Sequence, residues 1–294
     1  MANPAKIQQY DGLKHGDDKS DAFFLAEMLR LNILPTGYIC EPKVRAVRDL
    51  LRRRMGLVHK RTSLILSLKS LYTRVTGKDL ALKEVKVLEA AQSEKLFRHP
   101  ADELIGRLDL QLIQQLKQSI EKIEKTVLAV VEFLPSYQVL ETIPGVGKIL
   151  GMTITLETAD PQRFAGAGNY ASYCRCVDSE RLSNNKKKGE NNAKCGNRYL
   201  AWAYVEAANF ARRYDAASRQ FFDQKAARTN GVLATKALGC KLAKAAWHMM
   251  SENKPYDQKR IFPGFKPKSS AAEALEKLAQ ALPPKVKKKL LGKS

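Results

Sequence analysis

Two long stretches of the chain repeat apolar residues at helical spacing and predict its longest helices. After Pro42, leucines recur every seven residues at positions 50, 57, 64 and 71, until Gly77 ends the pattern. After Pro100, apolar residues alternate at spacings of three and four and stop at Pro135: Ile113, Leu116, Ile120, Ile123, Val127, Val130 and Leu134. The second pattern is the heptad seam of a coiled coil, with an ordinary amphipathic core helix as the alternative. Either helix must bury its seam against a partner helix, from this chain or from another subunit.

Shorter patterns flank these two stretches. Asp18 or Ser20 can cap a first helix, which Leu34 and Pro35 stop. Beyond residue 140, glycines, aromatics and short helical runs indicate a compact domain, with helices over 199–213 and 233–250. We therefore predict a mainly α fold in four parts: residues 1–77, a coiled-coil segment at 78–135, a C-terminal domain at 136–257 and a flexible basic tail at 258–294.

The charge of the chain points to a polyanionic partner. Lys and Arg number 51 against 30 Asp and Glu, a formal net charge of +21, and they concentrate at 43–78, 181–198 and 254–294. Such blocks favour nucleic acid over a membrane surface. No apolar run is long enough to span a bilayer or to form a signal peptide, and five cysteines are an odd number for a disulfide framework. We expect a cytoplasmic protein.

A glycine-rich turn is the first motif that could carry chemistry. Residues 143–148 read Ile-Pro-Gly-Val-Gly-Lys, the hairpin of a helix-hairpin-helix element. Gly145 and Gly147 permit a tight turn whose backbone N–H groups can face a phosphate, and Lys148 adds charge. A plain turn between packed helices is the alternative. Three further cations on the helix after Pro42 are predicted to contact DNA: Arg52, Arg53 and Arg54.

Two polar groups raise the question of catalysis. Asp18 and Asp21 lie three residues apart and share one helix face, which could help to hold Mg²⁺ or could simply be an ordinary helix start. Ser183 lies in a predicted polar loop, where it could attack a phosphodiester. A lysine cluster follows it and could stabilise the developing charge: Lys186, Lys187 and Lys188. Cys174 and Cys176 lack zinc-ligand spacing, so we expect buried free thiols.

Taken in order, these motifs resemble the DEDD-type transposases of the insertion-sequence one-ten family, in particular its eleven-eleven branch. The resemblance rests on the aspartates at 18–21 with Ala-Phe-Phe-Leu-Ala at 22–26, the arginines at 52–54, the turn at 143–147, Arg163-Phe164, and Ser183 before Gly-Asn-Arg-Tyr-Leu at 196–200. It covers residues 1 to about 257.

The resemblance implies an RNase H-like domain with four acids that bind Mg²⁺, a coiled-coil middle, and a C-terminal domain with a nucleophilic serine. Asp18 and Asp21 match the last two acids, and Ser183 matches the serine, with Ser179 as the alternative. The family implies subunit assembly as a homo-oligomer, a covalent phosphoserine link to DNA, and guidance by a structured non-coding RNA.

The resemblance also predicts an incomplete site. In the family, the first two acids lie upstream on earlier strands, and Asn3-Pro4 matches the end of the last such strand. We therefore expect a truncated chain that keeps a helical remnant of the RNase H-like domain and half of its acidic site. Two other functions stay open: a catalytically inactive remnant that only binds nucleic acid, and a basic coiled-coil scaffold.

Overall fold

The computed structural model describes residues 2, 7, 17–88, 90–177, 180–183, 186–190 and 195–265, with the backbone alone at Lys86 and in two short strands. The described chain is mainly helical, which confirms the predicted fold class. The RNase H-like remnant and the helix-hairpin-helix within it stay predictions. The basic tail lies outside the described residues from position 266 onward.

Five helices lie within the described residues of the first half of the chain. They are α1 (Asp18–Arg30), α2 (Pro42–Thr76), α3 (Leu82–Val87), α4 (Ser93–Leu96) and α5 (Pro100–Val131), with a 3-10 turn at Ala90–Gln92. The predicted boundaries of α2 are confirmed, since Pro42 occupies its first turn and Gly77 ends it in the left-handed conformation, with φ of 69°.

The described residues of the second half, up to position 265, form seven helices and one strand pair. They are α6 (Pro135–Glu141), α7 (Lys148–Thr158), α8 (Ala167–Tyr173), β1 (Glu180–Ser183), β2 (Lys186–Glu190), α9 (Arg198–Tyr214), α10 (Ala216–Arg228), α11 (Gly231–Glu252) and α12 (Gln258–Ile261), with a 3-10 turn at Pro161–Arg163. Helices α9 and α11 confirm the helices predicted at 199–213 and 233–250. Helix α10 was missed because its apolar residues form no clear stripe.

The heptad seam of α5 is buried against α2 of the same chain, in an antiparallel pair. The start of α2 meets the end of α5, where Leu51 joins one cluster with Val127. The end of α2 meets the start of α5, where Leu68 clusters with Leu110. An intramolecular partner therefore covers the seam that could have required a second subunit.

The seam departs from the heptad at its C-terminal end. Val130 and Leu134 are 50% and 39% exposed, whereas Val131 is fully buried and takes their place in the core. Helix α5 ends at Val131, and Pro135 does not close it but opens α6 at its first turn. Proline is favoured there because the first residues of a helix donate no intrahelical hydrogen bond.

Helix α1 lies almost entirely in solvent. Its cap is Asp17, not the predicted Asp18 or Ser20: the Asp17 side chain accepts from the Ser20 N–H, and the Ser20 side chain accepts in return from the Asp17 N–H. None of its residues is buried, and Phe23 is 77% exposed. Helix α1 therefore contributes little to the core.

The C-terminal unit is built on α9 and α11, whose small residues permit close packing. Alanines of both helices are fully buried, and a Cβ at Gly239 of α11 would lie 3.1 Å from the Tyr204 carbonyl oxygen of α9. A buried hydroxyl chain crosses this core, from Thr158 to Tyr170 and from Tyr170 to Tyr204, each link 2.8 Å long. These bonds satisfy polar groups that would otherwise be costly to bury.

The α2–α5 pair and the C-terminal unit share a continuous core. Leu51, Val127 and Val131 form one buried cluster with Tyr137, Met152 and Leu156 of α6 and α7. Apolar packing therefore crosses the predicted domain boundary at 135–136, and the domain limits stay predictions. None of the described helices is long and apolar enough to cross a membrane.

At Gly145 the backbone of α9 leaves no room for a side chain. Its φ is 93°, and a Cβ would lie 2.5 Å from the Ala211 nitrogen and 2.8 Å from the Ala207 carbonyl oxygen. We expect Gly145→Ala to lower the free energy of unfolding by about 2–4 kcal/mol, through backbone strain and overpacking. Urea denaturation measures the change.

Gly147 supplies the matched control for this prediction. Its φ is −90°, and no heavy atom lies within 4 Å of the position of an added Cβ. Gly147→Ala should cost less than about 1 kcal/mol, the effect of a poorer helix cap. Equal losses for the two variants would contradict the assigned close approach.

Candidate functional site

The glycine turn joins α6 to α7 and opens on a surface cleft. The turn closes with the Val146 N–H donating to the Ile143 carbonyl at 3.0 Å. Gly147 caps α7 without a side chain, so no cap side chain covers the N–H groups of the first turn. A cleft of about 500 Å³ lies against the turn, with Lys148 exposed at its edge. This arrangement can receive a phosphate group at the start of α7.

The other wall of this cleft is the C-terminal end of α9. Phe210 and Tyr214 line it and stack with their ring centroids 6.5 Å apart and an interplanar angle of 12°. Tyr214 is 75% exposed. Because Gly145 lies directly on the α9 backbone, the glycine turn and these two rings are held side by side. An exposed aromatic beside a phosphate-sized cleft is suited to contact a sugar or a base.

The three arginines predicted to contact DNA have different surroundings. Arg52 donates from Nε and Nη2 to the two carboxylate oxygens of Glu157, at 2.6 and 2.7 Å. Arg54 pairs with Glu124 of α5 at 2.6 Å. Arg53 is exposed. Two of the arginines therefore hold α2 to neighbouring helices, and Arg53 is the one of the three that presents its charge to solvent.

Glu157 is a buried carboxylate that connects three elements. It lies in α7 with its side chain 2% exposed, and besides Arg52 of α2 it accepts from Asn197 Nδ2 at 2.7 Å. Asn197 caps α9, accepting through its own side chain from the Tyr199 and Leu200 N–H groups. The hydrogen bonds to Glu157 raise the pKa of Arg52 above its ordinary value. A charge of this kind is stable in the interior only when it is fully paired.

The segment between α8 and α9, called the excursion below, begins and ends close to Glu157. The Asn197 N–H donates to the Tyr173 carbonyl at 2.7 Å, and Arg175 donates to the Gly196 carbonyl at 3.0 Å. Gly196 has φ of 90°, and a Cβ there would lie 2.5 Å from the Tyr173 oxygen. The ends of the excursion that contains Ser183 are therefore fixed to each other.

This excursion contains a two-stranded antiparallel hairpin where the sequence predicted a loop. Strands β1 and β2 pair with Ser183 opposite Lys186, and the register shifts between Arg181 and Leu182. Ser179 lies outside the described residues. The structure also leaves the side chains of Ser183 and of the lysine cluster undescribed, the latter being Lys186, Lys187 and Lys188. Their roles stay predictions.

Asp18 and Asp21 do not by themselves form a metal site. Both are exposed in the first turn of α1. Within the described ranges, no group of three or more His, Cys, Asp or Glu side chains is placed to hold a metal ion. Two exposed carboxylates provide too few oxygen ligands in too loose a geometry for Mg²⁺. The residues present therefore do not fit the ion that the resemblance implies.

Arg163 forms a cation–aromatic cluster that the spacing of residues along the sequence did not predict. Its guanidinium lies 4.4, 4.3 and 4.7 Å from the ring centroids of Tyr38, Phe164 and Tyr173. It also donates to the Thr158 carbonyl at 3.1 Å. The cluster ties the α1–α2 connection to the start of the excursion. Glu157 could have been noticed as a single acid within the apolar run of α7, but nothing in sequence indicated its partners.

The expectation of buried free thiols is confirmed at Cys174 and Cys176, which are 0% and 7% exposed. Burial raises the pKa of both thiols, that of Cys176 to about 12. Cys195, in contrast, is exposed.

The C-terminal unit is similar to a known protein family. Residues 137–223 match the family model described as Transposase IS116/IS110/IS902 family. The matched stretch begins in α6 and ends in α10, so it contains the glycine turn, Glu157, the hairpin and Asn197.

Three curated relatives extend the comparison. A protein of insertion element IS110 from Streptomyces coelicolor, named as an uncharacterized 43.6 kDa protein, is 31% identical over 116 residues, 40% of this chain and 28% of its own length. One of insertion element IS116 from Streptomyces clavuligerus, named as an uncharacterized 44.8 kDa protein, is 26% identical over 156 residues, 52% of this chain and 38% of its own. A Sinorhizobium fredii relative is 24% identical over 221 residues, 70% of this chain and 50% of its own. The chain thus spans half or less of each relative.

Replacement of the buried carboxylate tests the network around Glu157. We expect Glu157→Gln to lower the free energy of unfolding by about 2–3 kcal/mol, because it leaves Arg52 without its counter-charge. Glu121→Gln makes the same charge change at an exposed site of α5 and should stay within about 0.5 kcal/mol. Equal effects in urea denaturation would show that the pair does not stabilise the fold.

Thiol alkylation tests the burial of the cysteines. In the native protein at pH 8, iodoacetamide should modify Cys195, because it is exposed. Cys174 and Cys176 should react only after denaturation, because they are inaccessible and their raised pKa keeps them protonated. Peptide mapping by mass spectrometry distinguishes the sites. Native modification of Cys174 at the rate of Cys195 would contradict the assigned core.

Proposed function

We propose that this chain acts in the transposition of an insertion sequence, as a DNA-binding recombinase that uses a serine for strand exchange. The observation that carries the proposal is the match of residues 137–223 to the transposase family model. The matched stretch contains both the glycine turn and the hairpin that carries Ser183.

DNA binding is assigned to the surface around the glycine turn. The first turn of α7 and Lys148 would contact a backbone phosphate, and the Phe210–Tyr214 pair would contact the adjacent sugar or base. Arg53 would add a further phosphate contact from α2. These contacts read no base sequence, so choice of site would come from elsewhere. The structured RNA stays a prediction of the family resemblance.

Strand exchange is assigned to Ser183. Its hydroxyl oxygen would form a bond to phosphorus while the bond from phosphorus to a deoxyribose oxygen breaks, which leaves a phosphoserine ester and a free DNA hydroxyl. The serine proton would pass to solvent or to the leaving oxygen. The nearby lysine cluster would stabilise the charge that develops on the phosphate. The reverse attack by a DNA hydroxyl would release the serine and join the exchanged strands.

Magnesium assistance stays a prediction of the family resemblance, because Asp18 and Asp21 by themselves supply too few ligands for the ion. This observation favours a second function, a protein that binds nucleic acid without cleaving it. The scaffold function would need neither Ser183 nor the glycine turn.

Assembly into a homo-oligomer is part of the proposal. The α5 seam is used within the chain, but Leu104, Leu108 and Leu112 form a separate apolar row along α5 and are 46–50% exposed. Residues at this spacing lie on one side of a helix. A second copy could cover this row.

Trapping of a covalent intermediate tests the recombinase function. The full chain is incubated with Mg²⁺ and DNA from the ends of the element, and a protein–DNA adduct is sought after denaturation. We expect an adduct whose linked peptide contains Ser183, lost in Ser183→Ala. Ser172→Ala, at an exposed serine of α8, is the matched control and should retain it.

Each other outcome has a defined meaning. An adduct that persists in Ser183→Ala and disappears in Ser179→Ala would move the nucleophile to Ser179. Absence of any adduct, together with retained DNA binding, would support the non-catalytic function.

A further inference from the structure

A second cavity, whose charged lining is mostly cationic, lies on the C-terminal unit. It measures about 520 Å³ and is enclosed by the second half of α11 and the chain from Lys254 to α12. Its charged or titratable lining consists of Lys241, Lys244, His248, Lys254, Asp257 and Arg260. We call this cavity the α11–α12 pocket. Four permanent cations and a single carboxylate give it a strong positive potential.

The cations on the α11 side lack counter-charges. Neither Lys241 nor Lys244 has a carboxylate within 4.0 Å among the described residues. The Lys241 ammonium instead lies 5.2 and 5.3 Å from the ring centroids of Phe221 and Phe262. Partial burial, and then repulsion from Lys244, lower the pKa of Lys241. An anion between the two ammonium groups would relieve that repulsion.

The carboxylates near the pocket are occupied elsewhere. Asp257 accepts from the Lys259 and Arg260 backbone N–H groups at the start of α12. Glu252 accepts two hydrogen bonds of 2.8 Å from Arg260, lies 3.3 Å from both Lys254 and His248, and has a pKa lowered to about 2, chiefly by Arg260. Negative charge is therefore concentrated on the α12 side of the pocket and does not reach Lys241.

The pocket adjoins the DNA-binding surface proposed above. The Tyr256 N–H donates to the Thr142 hydroxyl at 2.8 Å, and Thr142 directly precedes the glycine turn. Beyond Phe265 the sequence contains two glutamates and eight lysines. The lysines are at positions 266, 268, 277, 285, 287, 288, 289 and 293. Positive charge thus continues in sequence from the pocket.

We propose that the α11–α12 pocket binds a backbone phosphate of a nucleic acid strand, with Lys241 and Lys244 as its ligands. Lysine ammonium groups bind phosphate as point charges and need no bidentate geometry. A nucleic acid suits the pocket better than a free anion because a further phosphate of the same strand would meet the glycine turn, which follows Thr142, the hydrogen-bond partner of Tyr256. The proposal extends the proposed DNA-binding function and does not depend on Ser183.

Lysine footprinting on the full-length chain tests the proposal directly. Acetylation of each lysine is measured by mass spectrometry alone, with a DNA duplex, with an RNA stem-loop, and with inorganic phosphate. We expect nucleic acid to protect Lys241 and Lys244 in proportion to its occupancy, and to leave Lys117 and Lys125 on the exposed side of α5 unprotected. Protection by DNA alone or by RNA alone identifies the strand. Equal protection by inorganic phosphate alone would overturn the assignment to a nucleic acid.

Salt-dependent binding gives a second, independent measurement. The double variant Lys241→Gln/Lys244→Gln should reduce the slope of log K against log salt by about 1, because one phosphate contact is lost. Lys117→Gln/Lys125→Gln removes the same charge and should leave the slope unchanged. Equal slopes for the two variants, with Lys241 unprotected in the wild-type protein, would sink the proposal. A missing Ser183 adduct with an intact footprint would instead count against the recombinase function alone.

Discussion

The ion pair between Glu157 and Arg52 is the contact on which the rest of the site depends. Glu157 is buried in an otherwise apolar helix, where an unpaired carboxylate would be very costly. Arg52 compensates it from α2, and Asn197 adds the third hydrogen bond from the start of α9. One charge thus fixes the positions of three helices, and the chain that carries Ser183 enters and leaves beside it. Arg52, which the sequence predicted to contact DNA, therefore stabilises the fold instead.

The same reasoning separates two kinds of cation in this chain. Arg52 and Arg54 are paired with acids on neighbouring helices and hold the fold together. Lys148, Arg53, Lys241 and Lys244 have no such acid partner among the described residues, so their charge is available to an external anion. The total of 51 Lys and Arg is therefore an upper limit on the number of cations that a nucleic acid can contact. Pairing within the fold, more than abundance, decides which cations form the binding surface.

Small residues set the geometry of the C-terminal unit. Alanines of α9 let α11 approach closely, and Gly145 lets the glycine turn rest on the α9 backbone. The turn is consequently placed beside Phe210 and Tyr214 at the end of the same helix. Gly196 permits a similar close contact at the end of the excursion, since its left-handed backbone packs on the Tyr173 carbonyl. Close backbone contacts of this kind leave little freedom to the glycine turn and to the two ends of the excursion.

The sequence by itself determined the long helices, because heptad spacing, Pro42 and Gly77 act through local geometry. It also determined the glycine turn and, by resemblance, the family later matched at 137–223. It did not determine that α2 covers the α5 seam, since the same seam suits a second subunit equally well. Nor did it determine that Asp17 caps α1, that 180–190 forms a hairpin, or that Arg52 faces Glu157 across 105 positions. Only the tertiary structure decided these points, because each depends on residues that are distant along the chain or on competition between neighbouring caps.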